Sequence, residues 1–145
     1  MNLNTNTMSL AKVQTHLAAE CFNKLYIGGQ FVDPIDGEKF PTYYPATGEL
    51  LHEFPRGKAN DVEAAIAAAE AAWAEGTWAG MAAAERAEIV AKMAQGIKDN
   101  IEMLAEIEAA DVGKPFRQAA MTLGGAAAEG KYWCSLGAAL DAEQD

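Results

Sequence analysis

Residues 109–118 read AADVGKPFRQ, and the Gly113-Lys114-Pro115 inside them admits two readings. A phosphate-binding loop places a Gly-Lys pair where a strand enters a helix. It also needs earlier glycines with converging N–H groups, and a Ser or Thr for a magnesium ion. Here the preceding residues are helical in pattern, no earlier glycine stands at that spacing, and Pro115 takes the hydroxyl position. The other reading is a helix end: Gly113 adopts the left-handed conformation and Pro115 cannot continue the helix. Asp111 is the odd residue of this ending, because a carboxylate in a last turn faces the negative end of the helix dipole.

Working outward, the chain divides in character. Residues 1–20 suggest a loosely ordered leader with a short helix from Ser9 to Glu20. In KLYIGGQFVD two β-rich runs flank Gly28-Gly29, a two-residue hairpin turn at which both positions accept positive φ. EKFPTYY and GELLHEFPRG are two further strands, joined by the turn Pro45-Ala46-Thr47-Gly48. From residue 60 the pattern is helical. Asn60 reads as an N-cap with Glu63 three residues on, and Val62, Ile66, Ala69 and Trp73 share a face. EGTW interrupts, and a second helix starts near Ala82 with Ile89, Met93 and Ile97 at four-residue spacing. Asp99, followed by Glu102, reads as a fresh cap for a third helix carrying Ile101, Leu104 and Ile107. The tail from Gln118 to Glu143 is alanine-rich, with Gly124, Gly125 and Gly130 each weakening a helix by roughly 1 kcal/mol.

Composition narrows the class. The 145 residues suffice for one ordinary domain, and 50% apolar with 22% charged residues is globular composition. A net charge of −10 argues against nucleic-acid binding. No apolar run approaches the roughly 20 residues that cross a bilayer. The first 22 residues contain no Arg and no basic region before an apolar block, so neither a transit nor a secretory peptide is expected. Cys21 and Cys134 form no CxxC, and a reducing cytoplasm is the default compartment.

Individual residues offer no active site. Gly28-Gly29 lacks the third glycine and the following helix of a dinucleotide loop. His16 and His52 stand in unlike contexts and read as surface or edge-strand residues. Cys134, in YWCSLG, reads as a buried structural thiol, since no base can be named for it.

The order of elements says more. LYIGGQFVD, FPTYYPATGELLHEFPRG, DVEAAIAAAEAAW, AERAEIVAKMAQGIKDN, LAEIEAADVGKP and GKYWCSLG together resemble the N-terminal region of the aldehyde dehydrogenase superfamily, over about residues 24–142. Pro45-Ala46-Thr47-Gly48-Glu49 is similar to the family's Pro-Ala-Thr-Gly-Glu turn, and Glu85-Arg86 opens the second helix as it does there. Asp111-Val112-Gly113-Lys114-Pro115 resembles the family's Asp-Thr-Gly-Lys-Pro hallmark. Tyr44 stands where Asn usually precedes the proline, and Val112 where Thr is common.

The resemblance implies an α/β fold of β-hairpins followed by helices that flank a Rossmann-like cofactor domain. Residues 1–23 would be a weakly ordered leader, and 24–145 the N-terminal part of the cofactor-binding domain. It implies NAD(P)+-dependent oxidation of an aldehyde to a carboxylic acid. In the family a cysteine thiolate attacks the aldehyde, hydride passes to the nicotinamide, and a glutamate activates water. An asparagine and a backbone N–H stabilise the oxyanion. Neither Cys21 nor Cys134 matches the nucleophile, so no catalytic or cofactor residue is carried over, and the chain is expected to be an inactive fragment by itself. A full-length homodimer or homotetramer is implied, with an aldehyde as substrate and neither nucleic acid nor membrane as partner.

Some members also hold a structural K+ or Na+. By resemblance, the Tyr43 main-chain carbonyl and the Asp111 carboxylate would be ligands here, oxygen donors suiting a hard cation. An exposed Asp111 beside the Lys114 ammonium is the open alternative. Thr122 and Gly125 stand where members acting on amino-aldehydes carry acids, which weakens that substrate class. Tyr132 and Trp133 match a family aromatic pair and read as core. From another class altogether, a self-standing acidic helical module that binds a protein partner, such as an intact homologue, would share this composition.

Overall fold

The computed structural model describes residues 9–139. Helices α1 (Leu10–Leu17) and α2 (Glu20–Asn23) precede two antiparallel hairpins, β1 (Leu25–Ile27) with β2 (Gln30–Val32), and β3 (Lys39–Tyr43) with β4 (Leu50–Pro55). Four helices follow: α3 (Ala59–Glu75), α4 (Ala83–Asp99), α5 (Ile101–Val112) and α6 (Phe116–Ala139). Both expected hairpins form. Gly28 and Gly29 take φ of 59° and 80°, the double positive φ that a tight two-residue turn needs. In the second hairpin Phe40 faces Phe54, and the register shifts between Thr42 and Tyr43.

Residues 1–8 lie outside the described residues. The short helix expected between Ser9 and Glu20 forms as α1, and α2 extends the helical stretch to Asn23, so residues 10–23 are more ordered than a loose leader. Ser9 caps α1 by accepting the Lys12 N–H. Val13 and Leu17, one helical turn apart, are fully buried against Leu51 of β4 and Ala110 of α5, with Tyr44, Phe54 and Ile107 packed around them. The segment is ordered because these two side chains have a core to enter.

Helix caps also differ from the sequence reading. Helix α3 is capped at Lys58, not Asn60. Asp61 supplies the reciprocal bond, its carboxylate accepting from the Lys58 N–H at 2.9 Å and the Ile35 N–H at 2.9 Å. That second bond ties the loop after β2 to the start of α3, a long-range partner that local pattern cannot reveal. Asp99 does not cap α5 either. Asn100 both ends α4 and precedes α5, and Asp99 instead accepts from Gln95 of its own helix.

The helical layer packs through small residues. Ala94 of α4, Ala105 and Ala109 of α5, and Ala119 and Ala127 of α6 are buried. A Cβ at Gly130 would stand 3.1 Å from the Ala94 Cβ, so this glycine, unfavourable for helix formation alone, lets α6 approach α4 closely. The larger apolar rows stay outside: Val62, Ile66 and Trp73 of α3 and Ile89 and Met93 of α4 are exposed. Tyr132 and Trp133, expected as core, are exposed as well and meet edge to face at 5.4 Å.

The Asp61 cap predicts a pH dependence. The Lys58 and Ile35 N–H bonds hold its carboxyl below the ordinary aspartate range. Its contribution is therefore present above the ordinary pKa and lost as pH falls through the lowered folded-state value. Asp61→Asn should weaken stability at neutral pH and flatten the acid side of the stability–pH profile. An unchanged acid side would argue against the cap.

Candidate functional site

The two stretches most distinctive in the sequence meet in space. Helix α5 ends at Gly113, whose φ is 72° and whose N–H donates to the Ala109 carbonyl at 3.1 Å. A Cβ there would sit 3.4 Å from the Pro45 Cβ, so glycine is required by backbone conformation and favoured by close approach. Pro45 belongs to the turn between β3 and β4. That turn is closed by the Gly48 N–H donating to the Tyr44 carbonyl and the Tyr44 N–H donating to the Glu49 carbonyl, both at 2.8 Å. The Thr47 hydroxyl bonds the Glu49 carboxylate at 2.8 Å. Beyond Gly113, the Pro115 carbonyl accepts from the Gln118 and Ala119 N–H groups and so opens α6. One proline therefore ends one helix and begins the next.

Lys114 is not free for a phosphate. Its ammonium lies 2.6 Å from a Glu108 carboxylate oxygen, and both side chains are mostly shielded. The same contact directs Lys114 to Glu108 rather than to Asp111. Asp111 is exposed and has no side-chain hydrogen bond or ion pair among the described residues. Tyr43 is 55% exposed and stands two residues before Pro45, as Asp111 stands two before Gly113. Both thus flank the Pro45–Gly113 contact. No group of three or more His, Cys, Asp or Glu side chains gathers for a metal among the described residues. A cation here would need main-chain oxygens.

A second charged site was not visible in the sequence. Glu106 of α5 is buried, with 2% of its surface exposed. Its two carboxylate oxygens meet Lys12 Nζ at 2.6 Å and His16 Nε2 at 3.1 Å, both from α1. Lys12 also lies 3.7 Å from Glu102. The only sequence signal was geometric: Lys12 and His16, like Glu102 and Glu106, are spaced four apart and share a helix face. Nothing local says that those faces meet. His16 is accordingly an interhelical ligand of a carboxylate rather than a plain surface residue.

His52 does lie on an edge strand, as read, but its Nε2 is buried without a partner among the described residues. Burial, then the nearby Lys39 charge, lowers its pKa, and the ring meets Phe54 edge to face at 4.8 Å. It packs as a neutral aromatic. Cys134 is half-buried in an open groove with Trp78, Arg86, Val90 and Trp133, and no His, Asp or Glu lines that groove among the described residues to act as its base.

Comparison with known proteins agrees with this geometry. The model of the aldehyde dehydrogenase family matches residues 31–144. Benzaldehyde dehydrogenase of Antirrhinum majus, described as mitochondrial, is 41% identical over 99 residues, which are 68% of this chain and 18% of that protein. Acetaldehyde dehydrogenase of Pseudomonas aeruginosa is 41% identical over 93 residues, 64% of this chain and 18% of that protein. Among solved structures, an aldehyde dehydrogenase of Bacillus cereus superposes with a TM-score of 0.78 at 37% identity, over 86% of this chain and 25% of its own. Betaine aldehyde dehydrogenase of Staphylococcus aureus, in complex with NAD+, gives 0.82 at 25% identity, over 88% and 25%. The chain spans about a fifth of the length of the curated relatives it matches. With the Pro45 turn and the Gly-Lys-Pro helix junction in contact and the match running over most of its length, the chain belongs to the aldehyde dehydrogenase family.

Proposed function

We propose that this chain is the N-terminal portion of an NAD(P)+-dependent aldehyde dehydrogenase, which oxidises an aldehyde to a carboxylic acid. The observation that carries the reading is the family match over residues 31–144, with Pro45 packed on Gly113. Relatives named for benzaldehyde and acetaldehyde support the substrate class, and the NAD+ bound to the Staphylococcus aureus relative supports the cofactor.

The chain's own share is a scaffold. Its residues do not fit a nicotinamide nucleotide: Gly28-Gly29 closes a hairpin, and Lys114 is held by Glu108. Its hairpins and helices would flank the cofactor domain, and the exposed rows of α3 and α4 would be covered by it. The whole enzyme would be a homodimer or homotetramer. The free thiols of Cys21 and Cys134 suit a reducing compartment, and we assign the cytoplasm, although the Antirrhinum relative is mitochondrial. No helix among the described residues is long and apolar enough to cross a membrane. Thr122 donates to the Gln118 carbonyl and Gly125 carries no side chain, so this part of α6 offers an ammonium substrate no anionic partner.

We further propose that Asp111 and the Tyr43 carbonyl contribute to a K+ or Na+ site. The fit rests on Asp111 having no cationic partner among the described residues, Lys114 being engaged elsewhere, and on both segments flanking the Pro45–Gly113 contact. The ion would supply the positive charge that the C-terminal turn of α5 lacks.

Two outcomes test these readings. A polypeptide that begins with this chain and continues into a cofactor and catalytic region should reduce NAD+ or NADP+ with a simple aldehyde, whereas residues 1–145 alone should not. Turnover by the short chain, or an open reading frame with no such continuation, would overturn the assignment. In the longer protein, replacing choline with potassium should raise thermal stability, and Asp111→Ala should abolish that gain. A gain that survives the substitution removes Asp111 from the site.

A further inference from the structure

We propose that α1 is a charge-locked strap, seated by Glu106, that couples the β3–β4 hairpin to α5. The buried carboxylate is the starting point. An ion enclosed in protein is costly unless opposite charge and hydrogen bonds compensate it. Both compensating groups of Glu106 come from one short helix: Lys12 on one oxygen and His16 on the other. If α1 lifts away, Glu106 loses both partners at once. The contact with Glu106 also raises the Lys12 pKa, which keeps the ammonium charged.

The strap does more than cover Glu106. Val13 and Leu17 are fully buried in the cluster that holds Leu51 of β4 and Ala110 of α5, with Tyr44 and Ile107 at its edge. Gln14 of α1 donates to the Leu50 carbonyl at 2.9 Å, a direct bond to β4. A single eight-residue helix is thus pinned to α5 by ion pairs and to the hairpin by a hydrogen bond. Tyr44 and Ala110 are the neighbours in sequence of Pro45 and Asp111. The strap therefore bears on the contact where the turn meets the end of α5. It also lies ahead of the residues matched by the family model, so it supports the hallmark junction from outside that match.

The two halves of the lock differ in exposure, which makes the proposal testable without unfolding the molecule. Lys12 is 40% exposed at its side chain, so Lys12→Met deletes a charge at the rim and keeps the aliphatic stem. Removing one partner of a buried ion leaves the other uncompensated, whereas replacing both by apolar residues relieves the strain. Hydrogen–deuterium exchange on the intact protein reads the result. Lys12→Met should speed amide exchange by about tenfold in residues 10–17 and, in step, in residues 43–51, with α4 and α6 unchanged. Combining Lys12→Met with Glu106→Leu should restore protection in both segments. Unchanged exchange in the single variant would overturn the lock. Faster exchange in α1 without any in residues 43–51 would overturn the coupling. A uniform loss of protection, including α4 and α6, would show a general stability effect and overturn the strap.

Discussion

The burial of Val13 and Leu17 is the constraint on which the arrangement of this chain depends. The β3–β4 hairpin is too small to fold on its own surface alone, since an isolated two-stranded hairpin is marginal in water. Its inward Leu51 needs an apolar partner, and α1 supplies it while also reaching Ala110 of α5. The same helix brings Lys12 and His16 to Glu106, so the apolar and the charged contacts are made by one rigid element. With α1 in place, the turn at Pro45 comes to rest against Gly113. The family's hallmark motifs are therefore joined through packing supplied from outside them.

The chain is asymmetric in where it spends its large apolar residues. The buried apolar residues of α4, α5 and α6 are alanines, and Gly130 lets α6 lie close to α4. Small side chains bury little area each, so such a layer gains close packing more than hydrophobic energy. Val62, Ile66, Trp73, Met93 and Trp133 meanwhile face outward. Side chains of this kind, in rows at helical spacing, are what a helix presents to a neighbouring layer. The outward rows and the restricted share of its relatives' length that the chain covers fit one another.

Much of the fold could be read from local chemistry. Both hairpins followed from their turn residues, and the end of α5 from the glycine and proline that stop it. What could not be read depends on contacts distant in sequence. Asp61 was missed as a cap because its second donor, the Ile35 N–H, comes from a loop that the helix pattern does not include. Nothing local marks Glu106 as buried, because its burial depends on α1 covering it. The short helix after Ser9 was legible but its anchoring was not, because Val13 and Leu17 are too few to define a core without Leu51 and Ala110. Periodicity placed Ile89 and Met93 on a face correctly, but it could not say that no described element covers that face. The Pro45–Gly113 junction was legible as two separate motifs, and their contact only in three dimensions.

The most direct measurement of this account is the unfolding free energy of Leu17→Ala in the intact protein. Leu17 is fully buried at the meeting point of α1, β4 and α5, so truncation should cost about 2–5 kcal/mol, the range for a leucine removed from a packed core. A loss below about 0.5 kcal/mol, the usual effect of a surface substitution, would contradict it, because the helix would then not be the element that joins the hairpin to α5.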